Sequence, residues 1–232
     1  MDREEFRYWV DYVMEDGLKP PRIVVEGNGV DDWKSRVSLA RWLSRKRYGK
    51  LEPAIKLFSS IINVGVTEPE DIENKAWALS DLGLCIWLVD EDAAKALTYL
   101  DMSIELAEST QAEFHFITRG ELWAKRWQLL VKSGNGERAI NEANDKIAQE
   151  FRMGLKSNSY LFHSYELKAQ VAYEQGDIHL ALCHYYQALA FFPHEYEDMN
   201  QLGEIWENRQ DNPQETFDDM QNLTHHEVCW DI

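Results

Sequence analysis

The chain has 232 residues, of which 41 are acidic and 24 are Lys or Arg, so its formal net charge is −17. Because this charge repels phosphate backbones and anionic lipid surfaces, we expect neither nucleic acid nor a membrane among its partners. Three cysteines, the absence of a long apolar run and a start without a signal peptide predict a reducing, cytoplasmic location.

The first predicted element is an amphipathic helix. Apolar side chains recur at helical spacing within residues 1–16, namely at Phe6, Trp9, Val10 and Val13. Gly17 ends this pattern, and two prolines and further glycines follow it. Residues 1–30 are therefore predicted to form an N-terminal helix and a linker.

Four similar blocks occupy residues 31–193. Each block combines a helical pattern, a short break and a second helical pattern with an alanine near its start. The alanines lie 42, 43 and 42 residues apart, at Ala54, Ala96, Ala139 and Ala181. An interval this regular indicates a repeat architecture, in which each helix pair buries its apolar side against the next. We expect the two helices of each pair to meet at Gly49, near Asp90, at Gly134 and at Gly176.

The fourth block gives the clearest pattern. Gly176 suits the left-handed conformation that ends many helices, and Asp177 suits the cap of the helix that follows. The small side chain of Ala181 allows the two helices to approach closely, and Pro193 ends the second helix. The block therefore predicts a helix, a tight turn and a second, antiparallel helix.

The last segment, residues 194–232, predicts acidic capping helices and a tail. Apolar residues recur at helical spacing near Glu195–Asn208. Asn212 and Pro213 are typical of a helix start, because Asn caps a helix and Pro suits its first position. A terminal helix of this kind packs one face on the last repeat and turns its polar face to water.

The fourth block resembles the tetratricopeptide repeat (TPR) family. Its aromatic, small and turn residues match the family motif at Tyr165, Ala169, Gly176, Asp177, Ala181, Tyr185, Ala188 and Pro193. The other blocks match less fully, and the interval of about 42 residues exceeds the 34 residues that are usual for the family. The resemblance implies an all-α, right-handed superhelical solenoid of four helix pairs. It also implies a concave groove, lined by the first helix of each pair, that binds a protein or peptide.

The resemblance places a set of first-helix residues on this groove. The basic contacts are expected at Arg36, Lys46 and Lys125, and further contacts at Trp87, Gln128, His163, Gln170 and Tyr173. The groove side is also expected to include Leu39, Leu43, Ser80, Leu84, Val131 and Glu166. Residues 31–56 carry a net charge of 8 − 3 = +5, and residues 193–232 carry 1 − 11 = −10. This difference is expected to orient a partner with a basic region or to favour end-to-end self-association.

No catalytic residue, metal ligand or cofactor is predicted. His179 and Cys183 on one predicted helix, and the tail residues His225, His226 and Cys229, lack the paired spacing of a zinc site. No phosphate-binding or nucleophile motif occurs. We therefore expect a non-catalytic scaffold or adaptor. Two alternatives stay open: a regulatory peptide sensor resembling the bacterial TPR regulators, and an enzyme with a site on a helical-repeat scaffold.

Overall fold

The computed structural model describes residues 1–15, 31–45, 48–109, 115–153, 158–191, 203 and 205–224. Within these ranges all regular secondary structure is helical and no β-strand occurs, as the predicted all-α class requires. In chain order the helices are α1 (Arg3–Glu15), α2 (Trp33–Ser44), α3 (Leu51–Ser59), α4 (Pro69–Asp90), α5 (Ala93–Glu108), α6 (His115–Lys132), α7 (Gly136–Met153), α8 (Asn158–Glu174), α9 (Ile178–Leu189) and α10 (Pro213–Thr224).

Helices α2 to α9 form four pairs, and each pair is joined at a residue with a positive φ angle. These φ angles are 59° at Gly49, 53° at Glu91, 79° at Gly134 and 82° at Gly176, the only positive values in the described part of the chain. Their intervals of 42, 43 and 42 residues repeat those of the alanines. The four predicted meeting points are therefore confirmed.

The third and fourth turns share one hydrogen-bond pattern. The Gly134 amide donates to the Val131 carbonyl oxygen at 3.0 Å, and the Asn135 amide to that of Leu130 at 2.7 Å. The fourth turn repeats both bonds, from Gly176 to Tyr173 at 2.9 Å and from Asp177 to Ala172 at 3.0 Å. These bonds satisfy carbonyl groups that a helix end leaves without a partner. The Asp177 side chain then accepts from the Leu180 amide at 3.0 Å, which confirms the predicted cap of α9.

The four repeated alanines lie at equivalent places in the pairs. Each pair has its alanine as the fourth residue of the second helix, and all four alanines are 0% exposed: Ala54, Ala96, Ala139 and Ala181. A methyl group fills the space between two closely packed helices without holding them apart. The predicted burial of these alanines is confirmed.

Equal intervals are built from unequal helices. Between Gly49 and Glu91, α3 has 9 residues and α4 has 22, whereas α7 and α8 between Gly134 and Gly176 have 18 and 17. At a rise of 1.5 Å per residue, α4 is about 33 Å long. The distance along the chain from turn to turn is therefore constant even though the helix lengths are not.

The chain divides into two compact units, unit 1 within residues 1–111 and unit 2 within residues 112–228. Each unit holds two helix pairs, so both contain part of the predicted repeat region, 31–193. In unit 1, α2 packs on α3 and α4, α3 packs on α4, and α4 packs on α5. In unit 2, α6 packs on α7 and α8, α7 packs on α8, and α8 packs on α9. Within each unit, neighbouring pairs are thus stacked through the same set of helix contacts.

Each unit has its own apolar core and an added helix at one end. In unit 1, Phe6 and Val13 of α1 are buried with the apolar side chains of α2 and α3, which confirms the predicted N-terminal helix. In unit 2, Phe217 and Met220 of α10 are buried against α9, and Pro213 is the first residue of α10 as predicted. Residues 16–30, which include the predicted linker, and the tail after 224 lie outside the described residues, and so does most of the helix predicted at Glu195–Asn208.

Candidate binding surface

The positive-φ residues give the first helices a common register. Counting back three and six residues from the turn leads to Val131 and Gln128 in α6, and to Tyr173 and Gln170 in α8. Helix α6 packs directly on α8, so these residues occupy equivalent rows on adjacent helices. All four are exposed or half-buried, as is Glu166 one turn before Gln170. We call this set of five residues the unit 2 strip.

One end of the unit 2 strip is bounded by α10. The ring of Tyr173 stacks on that of Phe217, with centroids 4.7 Å apart and an interplanar angle of 8°. The Gln214 amide nitrogen donates to the Tyr173 hydroxyl oxygen at 3.0 Å. Tyr173 still has 40% of its surface exposed. The aromatic contact predicted at this position is therefore open on one side and held by the capping helix on the other.

The polar members of the strip can bind a peptide main chain. Gln128 and Gln170 each carry an amide group, which both donates and accepts hydrogen bonds. The Gln170 nitrogen donates to Glu174 at 3.2 Å within the exposed face of α8. A bond of this kind between exposed side chains is readily exchanged for one to a ligand, because water already competes for both groups. Lys125, one turn before Gln128, is half-buried on the same helix.

His163 does not lie on the open surface. Its side chain is 5% exposed, its ring meets that of Phe162 edge-on, and its Nδ1 atom lies 3.0 Å from a carboxylate oxygen of Glu166. The imidazole therefore positions Glu166 from inside unit 2. Helical spacing placed His163 on the groove, but spacing alone does not tell a side chain under the surface from one above it.

In unit 1, the corresponding face of α2 is buried. Leu39 and Leu43 were expected beside the groove, but both belong to the apolar core, together with Phe6 and Val13 of α1. Helix α1 packs on α2 and adds Phe6 and Val13 to the same core, so this face of α2 is not open to a ligand at Leu39 or Leu43. Two further residues expected on the groove side of α4 are also buried, Ser80 and Leu84.

Of the two basic contacts predicted in the first block, the structure describes only Arg36. Arg36 donates through Nη1 to the Ser60 hydroxyl at 2.9 Å, so it ties α2 to the end of α3. Lys46 lies outside the described residues. The guanidinium of Arg36 therefore has a structural partner within unit 1.

The basic stretch 31–56 is largely compensated inside unit 1. Three of its cations pair with carboxylates of other helices: Lys34 with Asp71 at 2.5 Å, Arg41 with Asp81 at 3.1 Å and Lys56 with Glu5 at 3.2 Å. The hydrogen bond to Asp71 raises the pKa of Lys34. The net charge of +5 for residues 31–56 overstates the unpaired positive charge of this region. The carboxylates that pair with these cations lie outside residues 31–56 and were not part of the sum.

The register also corrects the position expected at the end of α4. Trp87 is half-buried and lies four residues before Glu91, so Leu88 rather than Trp87 is the equivalent of Tyr173. Leu88 is 45% exposed and Val89 is 40% exposed. The helical spacing alone did not indicate this exposed pair. What could have indicated it is the position of two apolar residues in the last turn of a helix, directly before three acidic residues.

The described residues offer no metal centre or membrane span. No group of three or more His, Cys, Asp or Glu side chains among them is arranged to hold a metal ion. On α9, Cys183 is exposed and the Nδ1 atom of His184 lies 3.1 Å from the Gln187 side-chain oxygen. The tail residues His225, His226 and Cys229 lie outside the described part. No helix within the described ranges combines the length and apolar character needed to cross a bilayer.

Comparison with protein-family models, curated proteins and solved structures gave no significant match to the chain. The register used above therefore depends only on the turns and alanines of this chain. By this register, the positions of the unit 2 strip on α6 and α8 are equivalent to buried positions on α2 and to the exposed Leu88 at the end of α4.

Proposed function

We propose that the chain is a non-catalytic, TPR-like scaffold that binds a protein or peptide through the unit 2 strip. The observation that carries the proposal is the exposure of equivalent rows on α6 and α8, two first helices that pack together. At equivalent positions of α2, Leu39 and Leu43 are buried in the apolar core that also contains Phe6 and Val13 of α1. A helical face that is left open in one unit and covered in the other favours a binding role for the open face.

The chemistry of the strip suits an extended or helical peptide with a basic region. Gln128 and Gln170 provide amide groups for the peptide main chain, and Tyr173 provides an aromatic surface of the kind that is enriched at binding hot spots. The Glu166 carboxylate, held by His163, provides a partner for a Lys or Arg side chain. The net charge of −17 favours the approach of such a partner.

Site-specific photo-crosslinking tests the proposal. A photoreactive amino acid at Gln170 is expected to capture a partner from native lysate, because this position lies in the middle of the strip. The matched control is the same amino acid at Asn141, which is exposed on α7, the second helix of the third pair. Capture of the same protein with equal yield from both positions would show that the strip is not the contact surface.

Binding constants of the captured partner provide a second test. Gln170→Ala is expected to weaken binding several-fold, mainly through faster dissociation, whereas Asn141→Ala is expected to change neither rate. Both substitutions replace a polar helix residue by alanine, at a half-buried position for Gln170 and at an exposed position for Asn141. Equal binding by the two variants would place the site elsewhere on the molecule.

A further inference from the structure

The end of α4 combines exposed apolar side chains with uncompensated acidic groups. Leu88 and Val89 stand next to each other in the last turn and are 45% and 40% exposed. Asp90 ends the helix, and Glu91 and Asp92 follow at once, all three with exposed side chains. We call these five residues the α4 tip.

The α4 tip carries negative side chains at a helix end that basic side chains would stabilise. The C-terminal end of a helix carries a partial negative charge and is stabilised by Lys, Arg or His side chains in its last turn. The last turn of α4 contains no basic residue. The Nζ atom of Lys95 lies 3.7 Å from a carboxylate oxygen of Asp90, and both side chains are half exposed. Three carboxylates and one ammonium group leave a net charge of −2 beside the apolar pair.

We propose that the α4 tip docks a basic amphipathic segment of a protein partner. Apolar side chains of the segment would cover Leu88 and Val89, and its Lys or Arg side chains would pair with Asp90 and Glu91. Asp92 already caps α5 by accepting from the Lys95 amide at 3.0 Å, so it takes part through its charge alone. The inference rests on the proposed scaffold function and names the chemical class of the partner.

Apolar cover and charge reinforce each other at this site. Covering Leu88 and Val89 removes water from the side of the adjacent carboxylates, and ion pairs are stronger where water is excluded. An entirely polar basic peptide would gain only a solvent-exposed ion pair, which contributes little. A neutral apolar peptide would leave the helix end and its carboxylates without a cation. The site therefore selects a segment that carries both properties.

The apolar half of the site is tested with a synthetic peptide of leucine and lysine that forms an amphipathic helix. Its binding to the full chain is measured by fluorescence anisotropy, beside a peptide of the same composition in scrambled order. Leu88→Ser is expected to weaken binding of the amphipathic peptide about tenfold, which corresponds to about 1.4 kcal/mol. The matched control is Leu180→Ser, because Leu180 on α9 is also 44% exposed. Equal affinity of the two variants, or of the two peptides, would overturn the proposal.

The acidic half is tested with two double variants of equal charge. Asp90→Asn with Glu91→Gln removes two negative charges at the α4 tip, and Glu137→Gln with Asp145→Asn removes two from exposed positions on α7. The first variant is expected to lose several-fold in affinity and much of its salt dependence, whereas the second keeps both. An equal loss in the two variants would mean that the peptide responds only to the overall charge, and the docking site would be wrong.

Crosslinking separates failure of this inference from failure of the proposed function. A photoreactive amino acid in place of Val89 is expected to capture the same partner that is captured from Gln170, through a segment rich in Lys or Arg and apolar residues. Capture from Gln170 without capture from Val89 would overturn the docking site and leave the scaffold function standing. Capture of a second copy of this chain, or of an acidic segment, would also overturn it.

Discussion

Gly83 of α4 lies so close to Ala96 of α5 that a Cβ atom on residue 83 would sit 2.8 Å from the Ala96 carbonyl oxygen. Ala96 is one of the four repeated alanines and is fully buried. The second helix pair is therefore in close contact where two residues without large side chains face each other. The absence of a side chain at Gly83 is therefore explained by the backbone of α5 and not by anything within α4.

Gly83→Ala is expected to destabilise the fold, although alanine is the better helix former by about 1 kcal/mol. The added methyl group would meet a backbone atom, which can move only if α4 and α5 separate, and we expect a net loss of about 1 kcal/mol or more. Chemical denaturation measures the change. The control is Gly136→Ala at the start of α7, where a Cβ atom would meet nothing within 4 Å. Two variants of equal stability would show that the α4–α5 contact is not tight.

The turn residues predict opposite effects for two substitutions. Glu91 has a φ angle of 53°, a conformation that costs a residue with a side chain about 1 kcal/mol, so Glu91→Gly is expected to stabilise the chain by up to about this amount. Gly176→Ala is expected to destabilise it by a similar amount, because its φ angle is 82°. No atom would touch the new Cβ at residue 176, so this loss would come from backbone strain alone. Melting temperatures that move in the same direction would contradict one of the two expectations.

Ala181→Trp is expected to disrupt the α8–α9 interface. The substitution adds a large ring at a position with no exposed surface, and overpacking of this kind costs about 1–3 kcal/mol or more. Because neighbouring pairs support one another, hydrogen exchange is expected to accelerate in α6 and α7 as well as in α8 and α9. Leu180→Trp, at the adjacent exposed position, is the control. An unchanged melting temperature for Ala181→Trp would remove Ala181 from the interface.

Acid is expected to weaken unit 2 partly through His184. Burial, together with the charge of Lys168, lowers the pKa of His184 below its usual value of about 6.5, although the bond to Gln187 opposes this. As the pH falls through the interval between the unfolded and folded pKa values, the unfolded chain takes up the proton first. The free energy of unfolding therefore decreases in this interval, and His184→Gln is expected to flatten the decrease. An equally steep decrease in the His184→Gln variant would contradict this expectation.

The helix pairs could be predicted from sequence because their turns and contacts depend on local properties. Gly49, Gly134 and Gly176 adopt a backbone conformation that suits glycine, and the alanines that follow are small where two helices meet. At the second turn no glycine is present, and only the constant interval indicated the break near Asp90. The constant interval therefore predicted this turn although the glycine of the other three turns is missing.

The open and covered faces could not be predicted in the same way, because they depend on segments far apart in the sequence. Leu39 and Leu43 of α2 lie in a core shared with α1, α3 and α4, and three cations of residues 31–56 pair with Glu5, Asp71 and Asp81. Nothing within α2 itself indicates these partners. In α6 and α8 the same rows stay exposed, and three of the predicted contacts, Gln128, Gln170 and Tyr173, lie there.

Because the third and fourth turns have the same structure, the segment between them could be removed without creating a new kind of turn. Residues 135–176 span one whole interval, and their removal would join Gly134 directly to Asp177. Helix α6 would then lead into α9 through a junction with the same left-handed glycine and the same two backbone hydrogen bonds that each turn already has. A gene for such a chain can gain or lose a complete interval by duplication or deletion without having to encode a new kind of joint.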